Sequence, residues 1–63
     1  MATRAGMTAA RVSKGLSINR LAKLAGITRT YCSLIENGHY EPSWEVWCNL
    51  AKALGCEVST LKQ

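Results

Sequence analysis

Three cysteines and a histidine are the side chains of this sequence best suited to covalent or metal chemistry: Cys32, Cys48, Cys56 and His39. Four such groups can enclose a zinc ion, and a Cys–His pair can supply a nucleophilic thiolate. Their spacing speaks against both. Structural zinc ligands usually come as pairs separated by about two to four residues. Here the cysteines lie 16 and 8 positions apart, and His39 stands 7 after Cys32. The cysteines also fall at inward or flanking helical positions or at a helix end, so they read as small hydrophobes, with Cys32 buried and inert. The sequence contains no Asp and only four Glu, and no carboxylate is placed to orient His39. It has no glycine-rich phosphate loop. No metal, cofactor or catalytic group is expected, and the chain does not read as an enzyme.

A second kind of chemistry is recognition by hydrogen bonding. Arg29, Thr30, Ser33, Leu34 and Asn37 recur at i, i+1, i+4, i+5 and i+8, one contiguous helical face. Arginine forms a bidentate bond with guanine O6 and N7, hydroxyls bond several bases, and an apolar side chain meets the thymine methyl. The base-reading candidates are therefore Thr28, Arg29, Thr30, Ser33 and Leu34. The charge agrees. Eight Lys and Arg against four acids leave +4, which favours an acidic partner, nucleic acid before an anionic membrane. Phosphate contacts are expected from the flanks, at Ser17, Arg20, Asn37, His39 and Tyr40, with Lys14 and Lys23 as further candidates. Residues 1–6 read as a flexible arm, and its Arg4 as a cation available to wrap a duplex.

These side chains need elements to hold them. No stretch alternates as a strand does, whereas helical spacing recurs. Thr3 is a candidate cap for a first helix from Arg4 to Lys14, with Met7, Ala10 and Lys14 on one face, Arg11 beside them and Gly15 as the stop; Gly6 weakens the first turn, which leaves a start as late as Ala9 open. Val12 lies off that face, as edge packing or exposed. Ser17 caps Ile18 to Ala25, with Leu21, Ala22 and Ala25 inward and Gly26 ending it. Thr28 caps Arg29 to Glu36, with Cys32 and Ile35 inward, and Asn37-Gly38 terminates it. Ser43, after Pro42, caps Trp44 to Leu54, whose inward set is Trp47, Leu50, Ala51 and Leu54. A last turn covers Val58 to Leu61. With 63 residues this is one all-α domain of five short helices, spanning 1–63. A chain this short buries only about 60% of its unfolded surface, so the helices must pack tightly or find a partner.

The turn between the second and third helices carries the most information. Two helices joined by three residues cross steeply only where the meeting side chains are small, as Ala22 is, and the turn needs a residue that accepts positive φ, as Gly26 does. Ile27 then plugs the gap. This is helix-turn-helix geometry, in which the second helix projects toward a major groove.

The stretches GLSINRLAKLAGITRTYCSLIENG, EPS and LAKALG resemble the phage repressor and Cro (XRE-type) helix-turn-helix family from about Met7 to Leu61. Ala22, Gly26, Ile27, Ile35, Glu36-Asn37-Gly38 and Pro42-Ser43 carry the resemblance. It implies a compact five-helix repressor-like domain, the helix Arg29–Glu36 as DNA reader, and a structural ion pair between Arg11 and Glu36. Three positions depart from the pattern. Ile18 replaces a common glutamine that touches phosphate or supports a base-reading side chain. Arg20 stands where an acid often completes a capping box, and Leu34 replaces a polar residue on the reading face.

The expected function is sequence-specific binding of double-stranded DNA by a repressor-like transcriptional regulator. One copy reads few base pairs, so a homodimer on an inverted-repeat operator is expected. Val58, Leu61 and Trp44 could form the dimer patch or close the monomer core. The alternative is a protein-interaction module, an antitoxin or adaptor using the same fold. The odd cysteine count and the absence of a signal-peptide pattern suggest a reducing cytoplasm. The chain ends soon after Thr60, so regulation is expected to act through concentration, a partner or proteolysis.

Overall fold

The structure is a computed structural model that describes residues 3–63. Five helices follow in order: α1 (Ala5–Ser13), α2 (Ile18–Ala25), α3 (Arg29–Glu36), α4 (Trp44–Leu54) and α5 (Val58–Leu61), with no strand among the described residues. Met1 and Ala2 of the expected arm lie outside the described residues.

Local chemistry sets most helix ends. The hydroxyls of Ser17, Thr28 and Ser43 accept hydrogen bonds from the main-chain N–H groups of Arg20, Tyr31 and Val46, at 3.1, 3.1 and 3.5 Å. Each satisfies one of the N–H groups that a helix start leaves without an internal partner. Gly26 closes α2 at φ +74°, and the N–H of Ile27 returns to the Ala22 carbonyl at 2.9 Å. That left-handed residue turns the chain from α2 into α3 within three positions.

The start of α1 is not set locally. Thr3 is not its cap. The helix begins after Arg4, which has no side-chain capping bond. The main-chain N–H of Arg4 donates instead to the Glu36 carbonyl at 2.8 Å, while its carbonyl accepts from Thr8 at 3.1 Å. A distant helix end therefore decides where α1 begins.

The core draws on all five helices: Met7, Leu21, Ala22, Ala25, Cys32, Ile35, Trp47, Leu50, Ala51, Leu54 and Leu61 are buried. α2 packs on α4 and α3, and α1 on α5 and α3. Leu61 is fully buried, so it closes the monomer core and is unavailable to a dimer patch, and Val58 packs half-buried beside it. Trp44 is 66% exposed and Val12 63%. Gly6 does more than weaken a first turn. A Cβ there would run into the Thr60 carbonyl oxygen, so the absence of a side chain lets α1 meet α5 closely.

Candidate nucleic-acid interface

Small, buried side chains bring α2 and α3 together. Ala22 is 2% exposed and Cys32 is fully buried, while Ile27 packs half-buried against the core. α3 turns Cys32, Ile35 and Glu36 inward. Thr28, Arg29, Thr30, Leu34 and Asn37 are exposed, and Ser33 is half-buried. The Ser17 and Thr28 hydroxyls accept from their own helices and keep their hydrogens to donate outward. Asn37 spends one amide hydrogen on the Ser33 hydroxyl, one turn back, at 3.3 Å.

A cleft of about 420 Å³ opens between α2 and the start of α3, walled by Ser17, Asn19, Arg20, Lys23, Ile27 and Arg29. Among the described residues, the ion pairs join Arg4 and Lys62 to Glu41, and Arg11 to Glu36. Arg20, Lys23 and Arg29 have no such partner. Three unneutralised cations thus surround one cleft, beside the N-termini of two capped helices. Partial positive charge at those termini adds to the field. The arrangement suits a polyanion.

Asn19 was not legible as part of this surface, because its membership depends on how α2 and α3 cross. Ile18, where the resemblance places a glutamine, packs half-buried against the core and does not line the cleft. Beyond the other end of α3, His39 and Tyr40 are exposed. The His39 N–H donates to the Leu34 carbonyl at 2.9 Å, and the Tyr40 ring stands edge-on to Tyr31 with centroids 5.0 Å apart.

Behind the reading face, Arg11 and Glu36 form a two-bond pair. Nε donates to Oε1 at 2.9 Å and Nη2 to Oε2 at 3.1 Å. Arg11 Nη1 donates to the Leu16 carbonyl at 2.8 Å, and the Thr8 hydroxyl donates to Glu36 Oε2 at 2.9 Å. The side chains are 17% and 9% exposed. The hydrogen bond to Glu36 holds the Arg11 guanidinium above its ordinary pKa, against the opposing effect of burial. Burial, helped by the Glu36 charge, pushes the Cys32 thiol up to about 11, so it stays protonated and unreactive at neutral pH. All three cysteines are free thiols.

Arg4 departs from the expectation of a free arm. Its side chain is 15% exposed and turned onto its own domain, bonded to the Ile35 carbonyl at 2.9 Å.

A helix-turn-helix family model matches residues 2–61. The chain belongs to the phage repressor/Cro-type helix-turn-helix family. It is 38% identical over 52 residues to an ImmF control region 10 kDa protein of Bacillus phage phi105, covering 82% of this chain and 58% of that relative's length. The restriction-modification controller protein C.AhdI from Aeromonas hydrophila superposes with a TM-score of 0.82 at 36% identity, over 89% of this chain and 85% of its own. The clp gene regulator ClgR from Corynebacterium glutamicum superposes at 0.83 and 30% identity, over 90% of this chain and 61% of its own. The family is one of DNA-binding regulators rather than enzymes. No helix of the described residues is long and apolar enough to cross a membrane.

Proposed function

We propose that this chain is a transcriptional regulator that binds double-stranded DNA by placing α3 in the major groove. The observation that carries the proposal is the outward face of α3, with Arg29, Thr30 and Leu34 exposed beside a cleft of unneutralised cations. Arg29 is assigned to guanine and Leu34 to a thymine methyl, with Thr28, Thr30 and Ser33 contributing hydroxyl bonds. Ser17, Arg20, Asn37, His39 and Tyr40 are assigned to phosphate, and Lys23 and Asn19 join them from the cleft wall. These contacts fix register without reading sequence. The likeness to a restriction-modification controller, a clp gene regulator and a phage control-region protein supports a role in transcription.

One α3 spans too few base pairs for a genome-scale search, so the working species is a homodimer on an inverted repeat with half-sites about one helical turn apart. Such a regulator acts in the cytoplasm, where its three thiols stay reduced. Selection of bound duplexes from a random pool tests this reading. An inverted repeat should emerge, with affinity falling by orders of magnitude between about 50 and 200 mM salt. Recovery of unrelated sequences, bound with no salt dependence, would overturn it.

A further inference from the structure

We propose that Arg4 is a positioning residue for DNA binding, fixing the turn after α3 so that His39 and Tyr40 stand beside the reading helix. The inference rests on the duplex-binding reading above. The Arg4 main-chain N–H donates to the Glu36 carbonyl at 2.8 Å, and Nε donates to the Ile35 carbonyl at 2.9 Å. Nη2 reaches across the turn to the Tyr40 carbonyl at 3.3 Å and to Glu41 Oε1 at 3.2 Å. One residue thus grips both ends of the segment that carries His39 and Tyr40. The guanidinium lies over the buried Trp47 ring, 4.9 Å from its centroid, and Lys62 holds Glu41 from a second side at 3.7 Å.

The position of this charge is informative. A cation at the N-cap of α1 opposes the dipole of that helix, whereas the same cation favours the C-terminus of α3. Arg4 therefore serves α3 and its turn at some expense to α1. The planar fork matters as well. A lysine is a point charge and cannot hold carbonyls on both sides of the turn in fixed geometry. Among the described residues the His39 side chain makes no hydrogen bond to protein, and the Tyr40 ring packs edge-on to Tyr31, so the backbone of the turn sets where both side chains start. α3 is also held by its Thr28 cap and by the buried Cys32 and Ile35 side chains, which do not depend on the Arg4 guanidinium for their packing. The turn should loosen before the reading face does.

The test measures duplex affinity for the parent, Arg4→Ala, Arg4→Lys, Tyr40→Phe and Arg4→Ala/Tyr40→Phe, at temperatures where circular dichroism shows each variant folded. The target is the duplex selected by the parent, together with its single-base-pair variants. Arg4→Ala should weaken binding about tenfold, the size of one lost charge-assisted hydrogen bond, and equally on every duplex. Arg4→Lys should weaken it nearly as much, and it is the variant to use where Arg4→Ala does not fold. Tyr40→Phe should weaken the parent but add nothing in the Arg4→Ala background. Full affinity in either folded Arg4 variant would overturn the proposal, as would losses from Arg4→Ala and Tyr40→Phe that multiply, or a Tyr40→Phe protein that binds as the parent does. A parent that selects no duplex would instead defeat the underlying reading, and it would do so before any variant is compared.

Discussion

Two sets of cations divide this small domain. Arg4 and Arg11 are largely covered, paired with Glu41 and Glu36, and tied to main-chain carbonyls. Arg20 and Arg29 are exposed on the cleft and meet no carboxylate. The same side chain does opposite work in the two places. Where a guanidinium is covered and its donors are used, it joins elements that are distant in sequence. Where its donors are left over, the domain has gained nothing from it, and an external anion can.

The largest effect should come from breaking the covered set. Arg11→Ala or Glu36→Ala leaves a partner charge stranded in a nearly closed site, and should cost roughly 3 kcal/mol in urea unfolding. A domain of this size has little stability to spare, so partial unfolding at 25 °C is the expected outcome. A cost below about 1 kcal/mol would mean that the pair behaves as a surface bridge and that the division drawn here is wrong.

Gly6→Ala comes next. Alanine is ordinarily the better helix former by up to about 1 kcal/mol. Here its methyl would collide with the Thr60 carbonyl oxygen, so the sign should reverse, with a loss of about 1–3 kcal/mol. A rise in melting temperature would show that α1 and α5 are not in the close contact described.

The exposed set should behave in the opposite way, moving affinity and leaving stability alone. Arg29→Ala should cost about 1–3 kcal/mol of binding to the preferred duplex and relax preference at one base pair. Arg20→Ala should weaken all duplexes alike and reduce the slope of log affinity against log salt by about one. If both variants act identically on every duplex, the assignment of reader and anchor fails.

The last effect is absent at neutral pH and concerns Cys32. Its thiol is raised by burial to about 11 in the folded chain, so the unfolded chain loses that proton first. The contribution to stability is complete below the ordinary thiol range and is lost as the pH climbs through about 9 to 11. The stability advantage of the parent over Cys32→Ala should therefore shrink across that interval, as followed by urea unfolding at a series of pH values.

How much of this was legible in the sequence follows from the range of each interaction. Ser17, Thr28 and Ser43 cap helices through bonds three residues long, and α2, α3, α4 and α5 begin and end where the local pattern put them. The outward face of α3 was legible for the same reason, since a helical period decides which side chains share a side. The start of α1 was misread because its first N–H is bound 32 positions away, at Glu36. Gly6 looked like a weak spot because its neighbour, Thr60, lies at the other end of the chain. Arg4 looked free, and its partners at Ile35, Tyr40 and Glu41 follow from the way the helices pack rather than from spacing. Asn19 was missed because a cleft between two helices exists only once their crossing is set.

Duplex DNA is proposed to meet α3 and the cleft beside it. The most direct measurement is the set of backbone amide shifts that move when the selected duplex is added to labelled protein. The largest changes should fall along Ser17–Lys23 and Thr28–Leu34, with smaller ones at His39 and Tyr40 and little change on the outer faces of α1 and α4. Changes centred on Val12 and Trp44, with the amides of Arg29, Thr30 and Leu34 unmoved, would contradict it.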